Sequence, residues 1–240
     1  MNPFILTLGA ILAYLIGSIS FARLVPQWIG AGKDVTDHEI PVEGTDEAYK
    51  VLSIGGNSVG SMLGQRAGMI VGLLDILKVC LPTLLFKIYF PGQPVYHLVV
   101  ATAGMIGHVW PLYYRFHGGS GFSAIVGGLL VIDWPAVFVT PILGLLLGMI
   151  VFRNIIFASL GWIWLLIPWL WWRFDGDLAH ILYALAVNIL FLLAMVPEYQ
   201  MAMKFKEKGK YIEYGIGNLK SNPMGRGMLK IARFFHVEIK

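Results

Sequence analysis

Long apolar runs, broken by glycine, proline and charge, organise this chain from its third residue to about position 197. Seven can be marked, at 3–25, 67–90, 94–114, 119–132, 134–152, 154–172 and 178–197. A helix that crosses a bilayer needs about 20 apolar residues, and the fourth and fifth runs are short of that. Only Asp133-Trp134-Pro135 parts those two, a turn signal with a helix-start proline. The pair therefore reads either as two short spans or as one re-entrant hairpin. Backbone groups in lipid must be satisfied within the chain, which favours helices throughout. The pattern predicts an all-α polytopic membrane protein of seven transmembrane helices. Its first run, Pro3 to Leu24, is too long for a signal-peptide core and lacks a basic leader, so it reads as a retained helix.

Composition agrees. The chain is 57% hydrophobic and 13% charged, with a mean hydropathy of +0.71 and eight tryptophans, far from the usage of soluble domains. Tryptophans 162, 164, 169, 171 and 172 gather toward one end of the sixth run, as an interfacial belt or plain lipid contact would place them. The single cysteine, Cys80, excludes a disulfide framework and a cysteine-based metal site. Nothing in the charge pattern calls for a nucleic-acid partner.

Positive charge sets orientation. With the 26–66 loop on the cytoplasmic side, that face collects Arg23, Lys33, Lys50, Arg66, Arg115, Arg153 and nine basic residues after Glu198. The other face holds Lys87 and Arg173. The positive-inside rule then puts the N-terminus outside and the C-terminus in the cytoplasm of a plasma-membrane protein. Residues 1–200 form the membrane domain, with an acidic cytoplasmic loop at about 31–52 (Asp34, Asp37, Glu39, Glu43, Asp46, Glu47) that reads as solvated. Residues 201–240 form a basic tail, whose Met228–Phe235 stretch reads as an amphipathic helix drawn to anionic headgroups.

Two glycine-bearing loops fall on the cytoplasmic face. The first is Ser53-Ile-Gly-Gly-Asn-Ser-Val-Gly-Ser61, followed by Arg66; the second is Gly118-Gly119-Ser120-Gly121, preceded by His108, Arg115 and His117. Glycines let successive backbone N–H groups approach an anion, and arginine forks onto phosphate oxygens. The same glycines would serve a tight interhelical turn equally well. No nucleotide-binding fingerprint, nucleophile elbow or metal-ligand set accompanies them. Asp75 and Lys78, ionisable residues inside a span, are spaced i and i+3 to pair on one face.

In order along the chain, Gly17-Ser-Ile-Ser-Phe21, Gly56-Asn-x-x-Gly-Ser61 leading to Leu63-Gly64, Leu74-Asp-Ile-Leu-Lys78, Gly107-His-x-x-Pro111, Phe116-x-Gly-Gly-x-Gly121 and Phe152-Arg153 resemble the bacterial acyl-phosphate:glycerol-3-phosphate acyltransferases, the PlsY family. The resemblance covers roughly residues 5–210. It implies seven membrane helices, a cytoplasmic active site, and acyl transfer from acyl phosphate to glycerol 3-phosphate among membrane lipids. It implies no cofactor and no metal. Carried onto this chain, it points to His108, Asn57 and Ser61 as catalytic. Gly56, Gly60, Arg66, Arg115, Gly118, Gly119, Ser120, Gly121 and Arg153 would bind phosphate.

The chain departs from that pattern in several places, among them a stretch from Lys33 to Lys50 that reads as inserted and the first glycine motif's arginine, for which Arg66 is the nearest candidate. Ser120 stands where the family has its phosphate-binding lysine, Gly55 stands at the serine that opens the first glycine motif, and Pro197-Glu-Tyr-Gln200 replaces a His-Arg-x-Asn sequence. A non-catalytic relative that binds phospholipid or lipid phosphate, or a transporter-like protein on the same scaffold, is the alternative reading.

Overall fold

A computed structural model describes residues 1–30, 35–221 and 223–237. Of the acidic loop and basic tail, Lys33, Asp34 and Lys240 lie outside the described residues. Twelve α-helices carry almost all the order among them. Helix α1 (Pro3–Gly17) starts because Pro3 occupies its first position and Asn2 Oδ1 accepts the N–H groups of Phe4 and Ile5. It breaks at residues 18–20, and α2 (Phe21–Trp28) continues at 42°. After the acidic stretch come α3 (Gly56–Leu63), α4 (Gln65–Tyr89) and α5 (Pro94–Val109). The short apolar pair is α6 (Phe122–Ile132) and α7 (Ala136–Leu146), the latter extended by a π-helical turn to Val151. Then follow α8 (Ile155–Arg173), α9 (Leu178–Ala194), α10 (Val196–Glu207), α11 (Tyr211–Ser221) and α12 (Pro223–Phe234).

Three described helices, α4, the Pro94–Tyr114 element and α8, are long and apolar enough to cross a membrane, and five if the bent pairs α1–α2 and α9–α10 each count once. The outer faces of α4, α8 and α9, and of the shorter α7, carry exposed Leu73, Leu77, Leu81, Phe138, Ile142, Trp164, Trp171, Leu182 and Ile189. Side chains of that kind are stable there only in lipid. The inner faces meet through small residues, as membrane helices do when backbones must approach closely. A Cβ on Gly17 would stand 2.3 Å from the Gly104 carbonyl oxygen, and one on Gly107 would stand 2.2 Å from that of Tyr14, so α1 lies directly against α5. Leu129, Ile163, Leu166, Leu170 and Val187 fill the centre among α6, α8 and α9. At one end of this core Asp133, at the C-terminus of α6, accepts from Trp169 Nε1 (2.7 Å) and Arg173 Nε (3.1 Å).

Three expectations are corrected. The acidic stretch is not a free loop: β1 (Glu39–Pro41) pairs antiparallel with β2 (Ala48–Lys50), a short hairpin within an otherwise all-helical fold. Tyr49 packs on Phe205 of α10 and Tyr214 of α11. Glu47 bridges Lys208 and Lys210 at 2.7 Å each, and Glu43 bridges Lys220 at 2.6 Å. Opposite charges on the loop and tail explain the docking. Second, Ser53–Ser61 is not all loop, because α3 begins at Gly56. Ser58 Oγ accepts from Gly55 N–H at 2.9 Å and donates to Gly55 O, a reciprocal cap that starts the helix. Third, Trp162 is buried in the core rather than belted at an interface, and Trp169 is spent on Asp133. Helix α12 forms where amphipathicity predicts it. Its Leu229 and Ala232 pack on Met149, Ile155 and Ala158, leaving Arg226, Lys230 and Arg233 exposed.

Candidate functional site

The break between α1 and α2 begins with a hydroxyl. Ser18 Oγ donates to Tyr14 O (2.8 Å) and accepts from Leu112 N–H (3.2 Å), tying the end of α1 to the segment after α5. Helix α5 ends at Trp110 because Pro111 cannot continue it. Beyond a short 3-10 turn, Arg115 and Phe116 take left-handed backbone (φ 52° and 61°) and fold the chain back on the helix it has just left. Gly119 N–H then donates to the carbonyl of His108 at 3.1 Å. A Cβ on Gly118 would lie 2.2 Å from that same oxygen, and one on Gly119 would lie 2.3 Å from His108 Nε2. No larger residue fits at either position. Gly118 O accepts from Ile54 N–H (2.9 Å), which joins the turn to the entry of α3. The two glycine-bearing segments therefore meet.

Beneath the turn lies a buried charge cluster. Asp75 and Lys78 of α4 pair at 2.7 Å, and Nδ1 of His108 lies 3.7 Å from Asp75 Oδ1. Lys78 Nζ also donates to Ile19 O (2.7 Å), so the unwound backbone at the α1–α2 break helps satisfy it. A buried ion pair is tolerable only with such extra partners. Gly17, Ser18, Ser20, Ile54, Asp75, Lys78, His108 and Gly119 together line one narrow cavity. A second cavity, of about 80 Å³, lies on the other side of the turn between Ser53, Trp110, Phe116, His117, Leu193 and Glu198. Gly119 lines both cavities, and Gly118 lines the second.

Of the residues expected at the site, His108, Gly118 and Gly119 come together here, and half-buried Ser120 and Gly121 (φ 93°) lead from the turn into α6. Gly56 and Gly60 do not form an open cradle. They lie inside α3 pressed against α4, where a Cβ on Gly68 would stand 2.7 Å from Gly60 Cα. Ser61 Oγ is spent on Ser58 O (2.8 Å), while Asn57 is exposed in the first turn of α3. Arg66 is exposed in the first turn of α4, and Arg115 and Arg153 are exposed at left-handed positions. Arg23 was not among the expected residues. Its guanidinium donates to His117 O (2.8 Å) and to Ser20 Oγ (3.1 Å), and lies 4.5 Å over the Tyr114 ring. Its sequence signal is the run of hydroxyls before an arginine at the end of an apolar segment, Gly17-Ser-Ile-Ser-Phe-Ala-Arg23. Ser53, which opens the first glycine segment, and Glu198, which stands in the replaced motif after α9, line the second cavity but were not among the expected site residues. Among the described residues no three His, Cys, Asp or Glu side chains gather to hold a metal ion.

The sequence profile of the family described as "Glycerol-3-phosphate acyltransferase" matches residues 7–205. A glycerol-3-phosphate acyltransferase of Myxococcus xanthus is 34% identical over 122 residues, 51% of this chain and 57% of that protein. The glycerol-3-phosphate acyltransferase of Bacillus cytotoxicus is 38% identical over 127 residues, 53% and 57% of the two chains. The match thus spans just over half the length of these relatives. Among solved structures, crystalline PlsY, an integral membrane glycerol 3-phosphate acyltransferase, in its glycerol 3-phosphate form superposes with a TM-score of 0.63 at 21% identity, over 85% of this chain and 93% of PlsY. Its lysophosphatidic acid form gives 0.62 at 20% identity. At such identity the likeness establishes the fold.

Proposed function

Because this chain belongs to the glycerol-3-phosphate acyltransferase family, we propose that it transfers a fatty acyl group from acyl phosphate to glycerol 3-phosphate, releasing lysophosphatidic acid and phosphate. The observation that carries this is the Gly118–Gly119 turn. It is one backbone surface shared by a cleft of buried charge and a cavity with apolar and polar walls. An acyl phosphate is already activated, so holding its phosphate and presenting the acceptor account for most of the required acceleration. The amides of the turn other than that of Gly119, which is spent on His108 O, and the guanidinium of Arg23, with exposed Arg66 and Arg115 at the rim, supply the phosphate contacts. His108, whose Nδ1 lies 3.7 Å from Asp75 Oδ1, fixes the turn from behind through its carbonyl. Asn57 meets the acceptor at the cytoplasmic edge, and Arg153 anchors the headgroup region.

In this reading α1–α2, α4, α5, α6, α7, α8 and α9 make seven passes, with the N-terminus outside and the hairpin and tail in the cytoplasm. Support comes from the charge bias and from the short apolar helices α6 and α7.

The test adds long-chain acyl phosphate and radiolabelled glycerol 3-phosphate to the purified protein. Labelled lysophosphatidic acid is the expected product. Ser120→Lys, which puts a point charge at the turn, should raise the rate. Binding of glycerol 3-phosphate without transfer, in parent and variant alike, would replace this reading with a non-catalytic lipid-phosphate binder.

A further inference from the structure

We propose that the C-terminal helix α12 docks on an anionic phospholipid surface through Arg226, Lys230, Arg233 and Phe234, an inference that does not depend on the acyl-transfer reading. Helix α8 begins at Ile155 and is long and apolar enough to cross a membrane, so its first turn lies at the boundary between hydrocarbon and headgroups. Helix α12 packs on that turn. Its Leu229 and Ala232 meet Ile155 and Ala158, together with Met149 of the π-helical turn before them. Around this contact Ile150, Val151, Phe152 and Ile156 are all more than half exposed, the state expected of side chains that lipid covers. The outer surface of α12 therefore continues a lipid-facing edge at headgroup depth.

Amphipathicity alone would sink the apolar face of α12 into lipid. The fold spends that face on protein and turns the basic one outward. Arg226, Lys230 and Arg233 fall at i, i+4 and i+7, on one exposed stripe. Beside them Phe234 is 79% exposed, the most exposed large apolar side chain among the described residues. Cations flanking a bare aromatic ring suit a layer of anionic headgroups over hydrocarbon. Arg226 also donates to Lys220 O at 2.9 Å, which closes the corner between α11 and α12 and fixes the direction in which the stripe faces. The chain's own acids do not neutralise the stripe. Glu47 and Glu43 are taken upstream by Lys208, Lys210 and Lys220, and among the described residues no carboxylate pairs with Arg226, Lys230 or Arg233.

Hydrogen exchange of the full chain in nanodiscs tests this, comparing phosphatidylcholine with an equal mixture of phosphatidylcholine and phosphatidylglycerol. The α12 amides should exchange more slowly in the anionic discs, and high salt should erase the difference. Each cation near an anionic surface contributes about fivefold to binding. Lys230→Gln combined with Arg233→Gln should therefore lose roughly 25-fold of the added protection. Arg226 is kept in that variant because it also holds the end of α11. Glutamine preserves helix propensity, and equal exchange of parent and variant in phosphatidylcholine discs shows that α12 is still folded. Should the variant fray there, the parent's own dependence on lipid charge and salt decides the question. Equal α12 exchange of the parent in both kinds of disc would overturn the proposal. So would a slowing that the folded double variant retains in full, or one that inorganic phosphate reproduces in phosphatidylcholine discs.

Discussion

Gly119 lies so close to His108 that a Cβ on residue 119 would stand 2.3 Å from Nε2 of the imidazole. The histidine is buried. Overpacking of this kind costs about 1–3 kcal/mol. Gly119→Ala should lower the thermal unfolding temperature and abolish most activity. Adding His108→Ala opens the space, so the double variant should be more stable than the sum of the two single losses predicts. The coupling expected for residues in direct contact is about 0.5–3 kcal/mol. Strict additivity would mean that the turn and the histidine are independent.

The Asp75–Lys78 pair is nearly inaccessible, at 2% and 4% side-chain exposure. Removing one partner of a buried pair strands the other charge and costs about 3–5 kcal/mol, whereas replacing both with apolar residues is often neutral. Asp75→Asn should therefore destabilise strongly, and Asp75→Leu with Lys78→Met should regain most of that loss. Unfolding in detergent compares them. A double variant as unstable as Asp75→Asn would point to roles for the charges beyond pairing.

Lys208 and Lys210 hydrogen-bond Glu47 and hold its carboxyl at about 2, below its ordinary value of 4.5. A carboxyl depressed in the folded state favours the docked hairpin above pH 4.5 and loses that contribution as pH falls toward 2. Hydrogen exchange of the β1 and β2 amides should quicken over that window, and high salt should weaken the contact at neutral pH, because these side chains are partly exposed. Glu47→Gln should show the faster exchange already at neutral pH and a smaller further change on acidification, because the Glu43–Lys220 bridge remains. Detachment should stay partial, since the Tyr49–Phe205–Tyr214 cluster remains.

Orientation has a direct test. Cys80→Ala removes the one native thiol, and single cysteines are then placed at Asp46, exposed at the hairpin tip, and at Asp175, exposed between α8 and α9. In intact cells an impermeant thiol reagent should label the second and spare the first. The reverse pattern would put the glycine turn outside.

Part of the candidate site was legible because its signals are local. The His108 and glycine-turn residues lie within fourteen positions of one another, from 108 to 121, and Asp75 and Lys78 share a helical face by spacing alone. The remainder depends on contacts between distant positions. Arg23 reaches His117 across 94 residues, and Lys208 reaches Glu47 across 161. Gly56 and Gly60 read as anion-binding loop residues because glycine is ambiguous by itself. Only the arrival of Gly68 on α4 shows that their missing side chains make room for a helix.

The chain by itself determined which stretches prefer lipid to water, because the hydrophobic effect acts on each apolar run wherever it lies. It also determined where proline and capping side chains start or stop a helix, since those preferences depend on immediate neighbours. Tertiary structure alone decided that the acidic stretch folds into a hairpin on the basic tail, that Trp162 enters the core, and that Glu198 shares a cavity with the glycine turn. Those outcomes rest on charge pairing, close packing and cavity shape. They arise only when segments far apart in the chain are brought within a few ångströms.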